Sequence, residues 1–342
     1  MTEGNGQAAL TKKDFTSNQD VRWCPGCGDY AILRAVQRTL AELARPKEKT
    51  VFVSGIGCAA RFPYYISTYG FHTIHGRAPA IATGIKLANP DLDIWVVVGD
   101  GDGLSIGGNH LLHALRRNVD LNILLFNNEV YGLTKGQYSP TSRTGQITPS
   151  SPFGSVERPV SPCAFALGAG ARFVARSVDT LTQHLPETLK RAHGHRGASF
   201  VEIFQNCIVY NDNVFAHFTE KETAAEHQLH VAHGRPLLFG KNASKGLRLK
   251  PGRLELEVVT VGDDGVTADE LLRHDETDRM LATLLVSLEP PAFPVALGVL
   301  YCDPAPSFEA SVHEQIAAQR EKKPAGGLNA LLRQGYTWTV AG

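Results

Sequence analysis

The chain has 342 residues, in which 34 Lys+Arg balance 34 Asp+Glu. That length builds a large core in one or two domains. The charge balance argues against nucleic acid or an anionic membrane as the main partner, and no apolar run is long enough to span a bilayer.

Taken in chain order, residues 1–20 are expected to form a polar N-terminal arm. MTEGNGQAALTKKDF lacks an apolar signal core, which makes the cytoplasm the expected location. WCPGCGDY follows at 23–30. Six cysteines are too few and too scattered for a disulfide scaffold, and in a reducing compartment CxxC points to metal or redox chemistry. Apolar spacing predicts a helix over 29–43, stopped by Arg45-Pro46. TVFVSGIGC (50–58) is a short β-branched strand ending in glycines. DIWVVVGDGDG (93–103) is apolar almost throughout, as a strand buried on both faces must be. A helix is expected over 105–118 and a second buried strand over 121–130. A polar loop runs from 131 to 160. Strands at 172–178 and 199–207 flank a helical segment at 179–193. This alternation predicts an α/β fold with a doubly wound, mostly parallel sheet over 21–240. Residues 241–342 contain one strand candidate, GRLELEVVTVG, and Pro-rich joints. They are expected to form a small C-terminal subdomain or extension.

Ligands of open parallel sheets sit beyond the carboxyl ends of the strands. Four strands deliver polar or sulfur-bearing residues there: Gly55-Ile56-Gly57-Cys58, Gly99-Asp100-Gly101-Asp102, Asn127-Asn128 and Gln205-Asn206-Cys207. Asp100 and Asn128 are one strand–helix–strand unit apart. A carboxylate and an amide oxygen on adjacent tips suit a hard cation such as Mg²⁺, which keeps phosphate or water as its other ligands. The glycines flanking Asp100 admit a phosphate, and the next helix could turn its N-terminus toward it. A GDG turn with no ligand is the plainer alternative.

GDG at 99–101 followed by NN at 127–128 resembles the thiamine diphosphate enzymes. With CPGCG, GIGC, HGRA (75–78) and YGLTKGQYSPTS (131–142), the chain resembles the β subunits of 2-oxoacid:ferredoxin oxidoreductases, most closely the 2-oxoglutarate type, over roughly residues 15–300. The resemblance implies a thiamine diphosphate-binding fold. It implies Mg²⁺ held by Asp100, Asn128 and the Val130 carbonyl. Ile56, Gly57, Cys58, Gly101, Asp102, Gly132 and Leu133 would line the cofactor, with His75 nearby. A buried, hydrogen-bonding histidine is the other reading of His75.

Cys24 and Cys27 supply two thiolates from one turn, Cys58 a third, Cys207 a fourth. Four thiolates suit a [4Fe–4S] cluster or a structural zinc. The family resemblance favours the cluster, and so does the position of Cys58 beside the cofactor turn. Cys163 and Cys302 are expected to be idle thiols.

The implied reaction is oxidative decarboxylation of 2-oxoglutarate with coenzyme A to succinyl-CoA, CO₂ and reduced ferredoxin. Arg61 and then Lys135 are the candidates to meet the substrate's second carboxylate, with a solvated surface cation as the alternative for each. Pyruvate-type members typically carry Asn where this chain has Leu133. No glutamate lies in a motif suited to activating the cofactor. In the family it comes from an α subunit, so the chain is expected to act only with that partner, as α2β2. A pyruvate-type subunit, a non-redox thiamine diphosphate decarboxylase and a zinc-stapled binding module are the rival readings.

Overall fold

The computed structural model describes residues 10–322, 326–340 and 342. Strands β1 (Thr50–Ser54), β2 (Tyr69–His72), β3 (Asp93–Gly99), β4 (Asn122–Asn127), β5 (Phe173–Val178) and β6 (Ser199–Phe204) lie in one sheet in the order β2-β1-β3-β4-β6-β5, all parallel. The period-2 alternation of a strand splits their side chains between two cores. Val51, Val53, Ile94, Val96, Ile123, Leu125 and Phe200 face one side, under helices Ala78–Ala88 and Gly108–Arg117. Phe52, Trp95, Leu124, Phe126 and Val201 face the other, under helices Asp29–Leu43 and His184–Gly194. Each large apolar side chain so enclosed contributes about 1.5–3 kcal/mol. Both faces are therefore covered, as the continuous apolar runs require.

Two charges sit inside this sheet. Arg176 of β5 stands opposite Glu202 of β6 in the register, and the two pair at 2.8 Å. Asn127 donates a further bond to Glu202 at 2.8 Å.

The structure differs from the sequence reading in three places. Of the arm, residues 1–9 lie outside the described residues. Phe15 is buried and Thr16 bridges to Ile66, so the arm is anchored there while most of 10–20 stays exposed. The helix expected over 105–118 begins only at Gly108 and runs to Arg117, and a separate short helix, Asp100–Leu104, precedes it. The gap between them faces a close crossing: a Cβ on Gly76, itself at φ +70°, would fall 2.5 Å from the Gly107 nitrogen. Finally, the chain beyond 240 is not separate from the main sheet. β7 (Gln228–His230) is followed by a three-stranded antiparallel sheet of β8 (Leu238–Phe239), β9 (Lys245–Leu249) and β10 (Leu256–Thr260). Then β11 (Val295–Cys302) enters the large sheet, antiparallel to β5 and parallel to β7. Its buried, apolar sequence VALGVLYC suits that interior position.

Candidate cofactor and redox site

From β1 the chain moves to β2 on one side and β3 on the other, so the sheet's switch point lies between β1 and β3. Ligand crevices form at such points. The strands β1, β3, β4 and β6 are consecutive neighbours, which puts their four polar tips along a single rim.

Asp100 is buried. Its Oδ2 accepts from Ser139 Oγ at 2.5 Å and Thr141 Oγ1 at 2.6 Å, and Thr141 also reaches Asn127 Oδ1 at 2.9 Å. Burial still pushes its carboxyl up to about 6, a cost that a divalent cation would reverse. The register pairs Gly99 with Phe126, so Asp100 and Asn127 are the next rung, and Asn128 follows. The Asn128 amide donates to Gln205 Oε1 at 2.7 Å, while its Oδ1 meets only the Val130 N–H at 3.3 Å. The Val130 carbonyl accepts from the Gly132 N–H at 3.1 Å. A carboxylate, an amide oxygen and a carbonyl suit a hard cation.

Asp102 ties the first strand tip to the HGRA turn. Its Oδ1 accepts from the Ile56 N–H at 3.1 Å and the Gly76 N–H at 2.7 Å, and His75 Nδ1 lies 2.7 Å away. Its Oδ2 is buried without a partner. Such an orphaned acceptor costs about 1–3 kcal/mol and marks a site still short of a donor. Gly55 permits this approach, since a Cβ there would lie 1.9 Å from Asp102 Oδ2. His75 is thus hydrogen-bonded, as its plainer reading expected, but it is about one-third exposed and sits on the rim. Gly101 lies under the Tyr131 ring, whose hydroxyl donates to its carbonyl at 3.2 Å.

Cys24, Cys27, Cys58 and Cys207 line one cavity of about 210 Å3, together with Asn128, Gly132 and Gln205. A Cβ on Gly132 would lie 3.5 Å from the Cys207 sulfur and 3.7 Å from that of Cys58. The CxxC turn is hooked to both other segments. Trp23 Nε1 donates to the Cys58 carbonyl at 2.7 Å, and the Gly28 N–H donates to the Asn206 carbonyl at 3.1 Å. Burial pushes the Cys27 thiol far up and the Cys58 thiol up to about 12, with neighbouring Asp29 and the other sulfurs adding to it. Cys207 is also raised by burial. Partly buried thiols at Cys27, Cys58 and Cys207 whose ionisation is disfavoured fit a cationic centre, which would favour their thiolates. Among the described residues, no three His, Cys, Asp or Glu close on a point that could hold one metal ion. Cys163 is buried elsewhere against Glu202, and Cys302 lies 3.9 Å from His195; neither lines this cavity.

Arg61 and Leu133 line both this cavity and an adjoining one of about 610 Å3, which also takes in Ile56 and Gly57. Arg61 donates to the Arg22 carbonyl at 3.1 Å and favours the Cys58 thiolate. Lys135, held at φ +83°, lines the cysteine cavity.

The pattern of the thiamine pyrophosphate enzyme C-terminal TPP-binding domain matches residues 42–203. The 2-oxoglutarate oxidoreductase subunit KorB of Mycobacterium tuberculosis is 50% identical over 333 residues, covering 96% of this chain and 88% of that protein. The chain belongs to the 2-oxoacid:ferredoxin oxidoreductase β-subunit family. Another relative is subunit beta of the 2-oxoacid:ferredoxin oxidoreductase 1 of Aeropyrum pernix. It is 50% identical over 57% of this chain and 62% of its own length. A solved structure, the 2-oxoglutarate:ferredoxin oxidoreductase from Magnetococcus marinus with 2-oxoglutarate, coenzyme A and succinyl-CoA bound, aligns with a TM-score of 0.77. That alignment has 31% identity and covers 97% of this chain and 98% of that one. This β-subunit is thus an enzyme subunit with a thiamine diphosphate-binding fold, and its family implies an α-subunit partner.

Sequence reasoning missed Ser139 and Thr141 on Asp100, Asp29 beside the thiols, and Gln205. The two serines and the threonine of YSPTS were a usable signal, because clustered hydroxyls in a loop opposite a buried carboxylate are its natural donors. Asp29 gave none, since an acidic residue in a first helical turn is ordinary.

Proposed function

We propose that this chain is the β subunit of a 2-oxoglutarate:ferredoxin oxidoreductase. With its α subunit it would convert 2-oxoglutarate and coenzyme A to succinyl-CoA and CO₂, passing the electrons to ferredoxin. The observation that carries this reading is the shared cavity wall: Asn128, on the cation side, and all four cysteines line one space. Thiamine diphosphate, when bound, supplies the electron-sink chemistry of decarboxylation.

The chain's own residues have separable tasks. Asp100, Asn128 and the Val130 carbonyl would hold Mg²⁺, with Ser139 and Thr141 fixing the Asp100 carboxylate. Ile56, Gly57, Gly101 and Gly132 would line the cofactor, and Asp102 would fix the strand tip against His75. Cys24, Cys27, Cys58 and Cys207 would hold a [4Fe–4S] cluster. The place of these cysteines beside Asn128 and Gly132, where an electron acceptor would serve the cofactor, supports a redox cluster over a zinc staple. Arg61 and Lys135 would take the distal carboxylate of 2-oxoglutarate, beside the apolar wall of Leu133. The activating glutamate would come from the α subunit, in an α2β2 assembly. No described helix is long and apolar enough to cross a membrane. Four thiolate ligands suit the reducing cytoplasm.

The test is to purify the complex anaerobically and measure iron, acid-labile sulfide and visible absorbance. Reduction of ferredoxin is then followed with 2-oxoglutarate plus coenzyme A, against pyruvate. The expected result is a brown protein that prefers 2-oxoglutarate and needs both subunits. A colourless complex with full thiamine-dependent turnover would defeat the redox assignment. A pyruvate preference would defeat the substrate assignment alone.

A further inference from the structure

Gln205 is almost completely buried at the carboxyl end of β6, where its N–H extends the ladder to the Asn127 carbonyl at 2.9 Å. Its side chain spans the gap between the two halves of the rim. At one end, Oε1 accepts from the Asn128 amide at 2.7 Å. At the other, Nε2 lies 3.3 Å from the Cys27 sulfur and also donates to the Asn206 carbonyl. Two donors and one acceptor are therefore all engaged. The orientation is fixed by chemistry: turned over, the amide would set its oxygen against a carbonyl and a sulfur, and its NH₂ against another NH₂.

Packing alone does not call for an amide here. An apolar side chain of the same size would fill the space but would leave the Asn128 N–H and the Asn206 carbonyl without these partners. What the amide adds is polar at both ends. By taking the Asn128 N–H, it leaves Asn128 Oδ1 as the atom available to a cation. By donating to the Cys27 sulfur, it stabilises negative charge there, and a reduced cluster places more charge on its sulfurs than an oxidised one. Hydrogen bonds to the sulfurs therefore raise a cluster's potential.

We infer that Gln205 is a positioning residue joining the two centres: one end orients the Asn128 amide toward the cation, and the other tunes the Cys27 sulfur. The inference rests on the redox reading above. Its distinct content is that one side chain sets both the cation affinity and the cluster potential.

The experiment compares wild type, Gln205→Met and Gln205→Glu as anaerobically purified complexes with the α subunit. Two quantities are read: the cluster's midpoint potential by titration followed with electron paramagnetic resonance, and the Mg²⁺ concentration that half-restores thiamine diphosphate binding. Gln205→Met keeps the size and loses both contacts. Its potential should fall and its Mg²⁺ requirement should rise about tenfold, the low end for losing a partner that orients a ligand. Gln205→Glu keeps an acceptor for Asn128 and loses the N–H toward sulfur. Its potential should fall while its Mg²⁺ requirement stays near wild type. Unchanged potentials in both variants, or an unchanged Mg²⁺ requirement in Gln205→Met, would overturn the inference. A wild-type complex without iron and sulfide would overturn the redox reading, and this inference with it.

Discussion

Where β3 and β4 end, the protein supplies most of its own partners. Asp100 has two hydroxyl donors, and Asp102 has two backbone donors and a histidine. Around the cysteine cavity it supplies few. The Cys27 and Cys58 thiols are pushed up by burial, by Asp29 and by neighbouring sulfurs, and both oxygens of Asp29 are themselves buried without partners. The first region is organised by hydrogen bonds before anything binds. The second is held in place by its neighbours, through Trp23 and Gly28, and waits for positive charge. Substitutions in the first should therefore weaken binding by degrees, and substitutions in the second should be all-or-none.

The largest effect should come from Cys27→Ala. Iron and acid-labile sulfide should be lost and ferredoxin reduction should fall below detection, with thiamine diphosphate binding retained. Full iron content in this variant would erase the contrast between the two regions. Next, Arg61→Ala removes a charge-assisted contact worth about 1.5–3 kcal/mol. That corresponds to roughly a ten- to hundredfold fall in kcat/KM for 2-oxoglutarate. Steady-state kinetics with 2-oxoglutarate and pyruvate would check it, and equal losses on both substrates would remove Arg61 from the distal carboxylate. Third, Thr141→Val deletes one donor to Asp100 at nearly constant volume. The Mg²⁺ needed for half-maximal thiamine diphosphate binding should rise about tenfold, a graded loss.

The smallest effect lies below the rim and calibrates the scaffold. His184 packs half-buried against His230 with its Nδ1 2.9 Å from Ser177 Oγ, and desolvation lowers its pKa from 6.5 to about 4. Above pH 6.5 both the folded and unfolded states keep it neutral, so it contributes no pH dependence. As pH falls from 6.5 toward 4, the unfolded chain takes up a proton that the folded one refuses, and stability declines. The thermal midpoint of the cofactor-free protein should drop over that window. His184→Gln should flatten the slope. An unchanged acid limb would show that His184 is already protonated in the fold.

Much of this architecture was legible in the chain. Apolar runs at 93–99 and 122–127 dictated strands covered on both faces, and the spacing from Asp100 to Asn128 matched one crossover. Those signals are local and periodic, so a single sequence carries them. The membership of β11 in the large sheet was not legible, because its partner Phe173–Val178 lies far away along the chain and nothing local names it. Nor was the late start of the helix at Gly108, beside the point where Gly76 of another segment crosses Gly107. At the site, CxxC and the strand tips gave the candidate ligands, while Ser139, Thr141 and Gln205 stayed hidden. Their roles depend on hydrogen bonds made across the fold, and hydroxyl and amide side chains are common in loops for unrelated reasons.

The place of β11 also bears on how the protein is made. During synthesis, the cofactor-bearing strands through β6 leave the ribosome about ninety residues before β11 does, a long wait for a growing chain. Until β11 arrives, β5 offers an open edge of unpaired backbone, and β7 has no neighbour in the large sheet. A nascent chain halted in that interval would be sticky at β5, so a chaperone or the closing strand itself must arrive before another copy does.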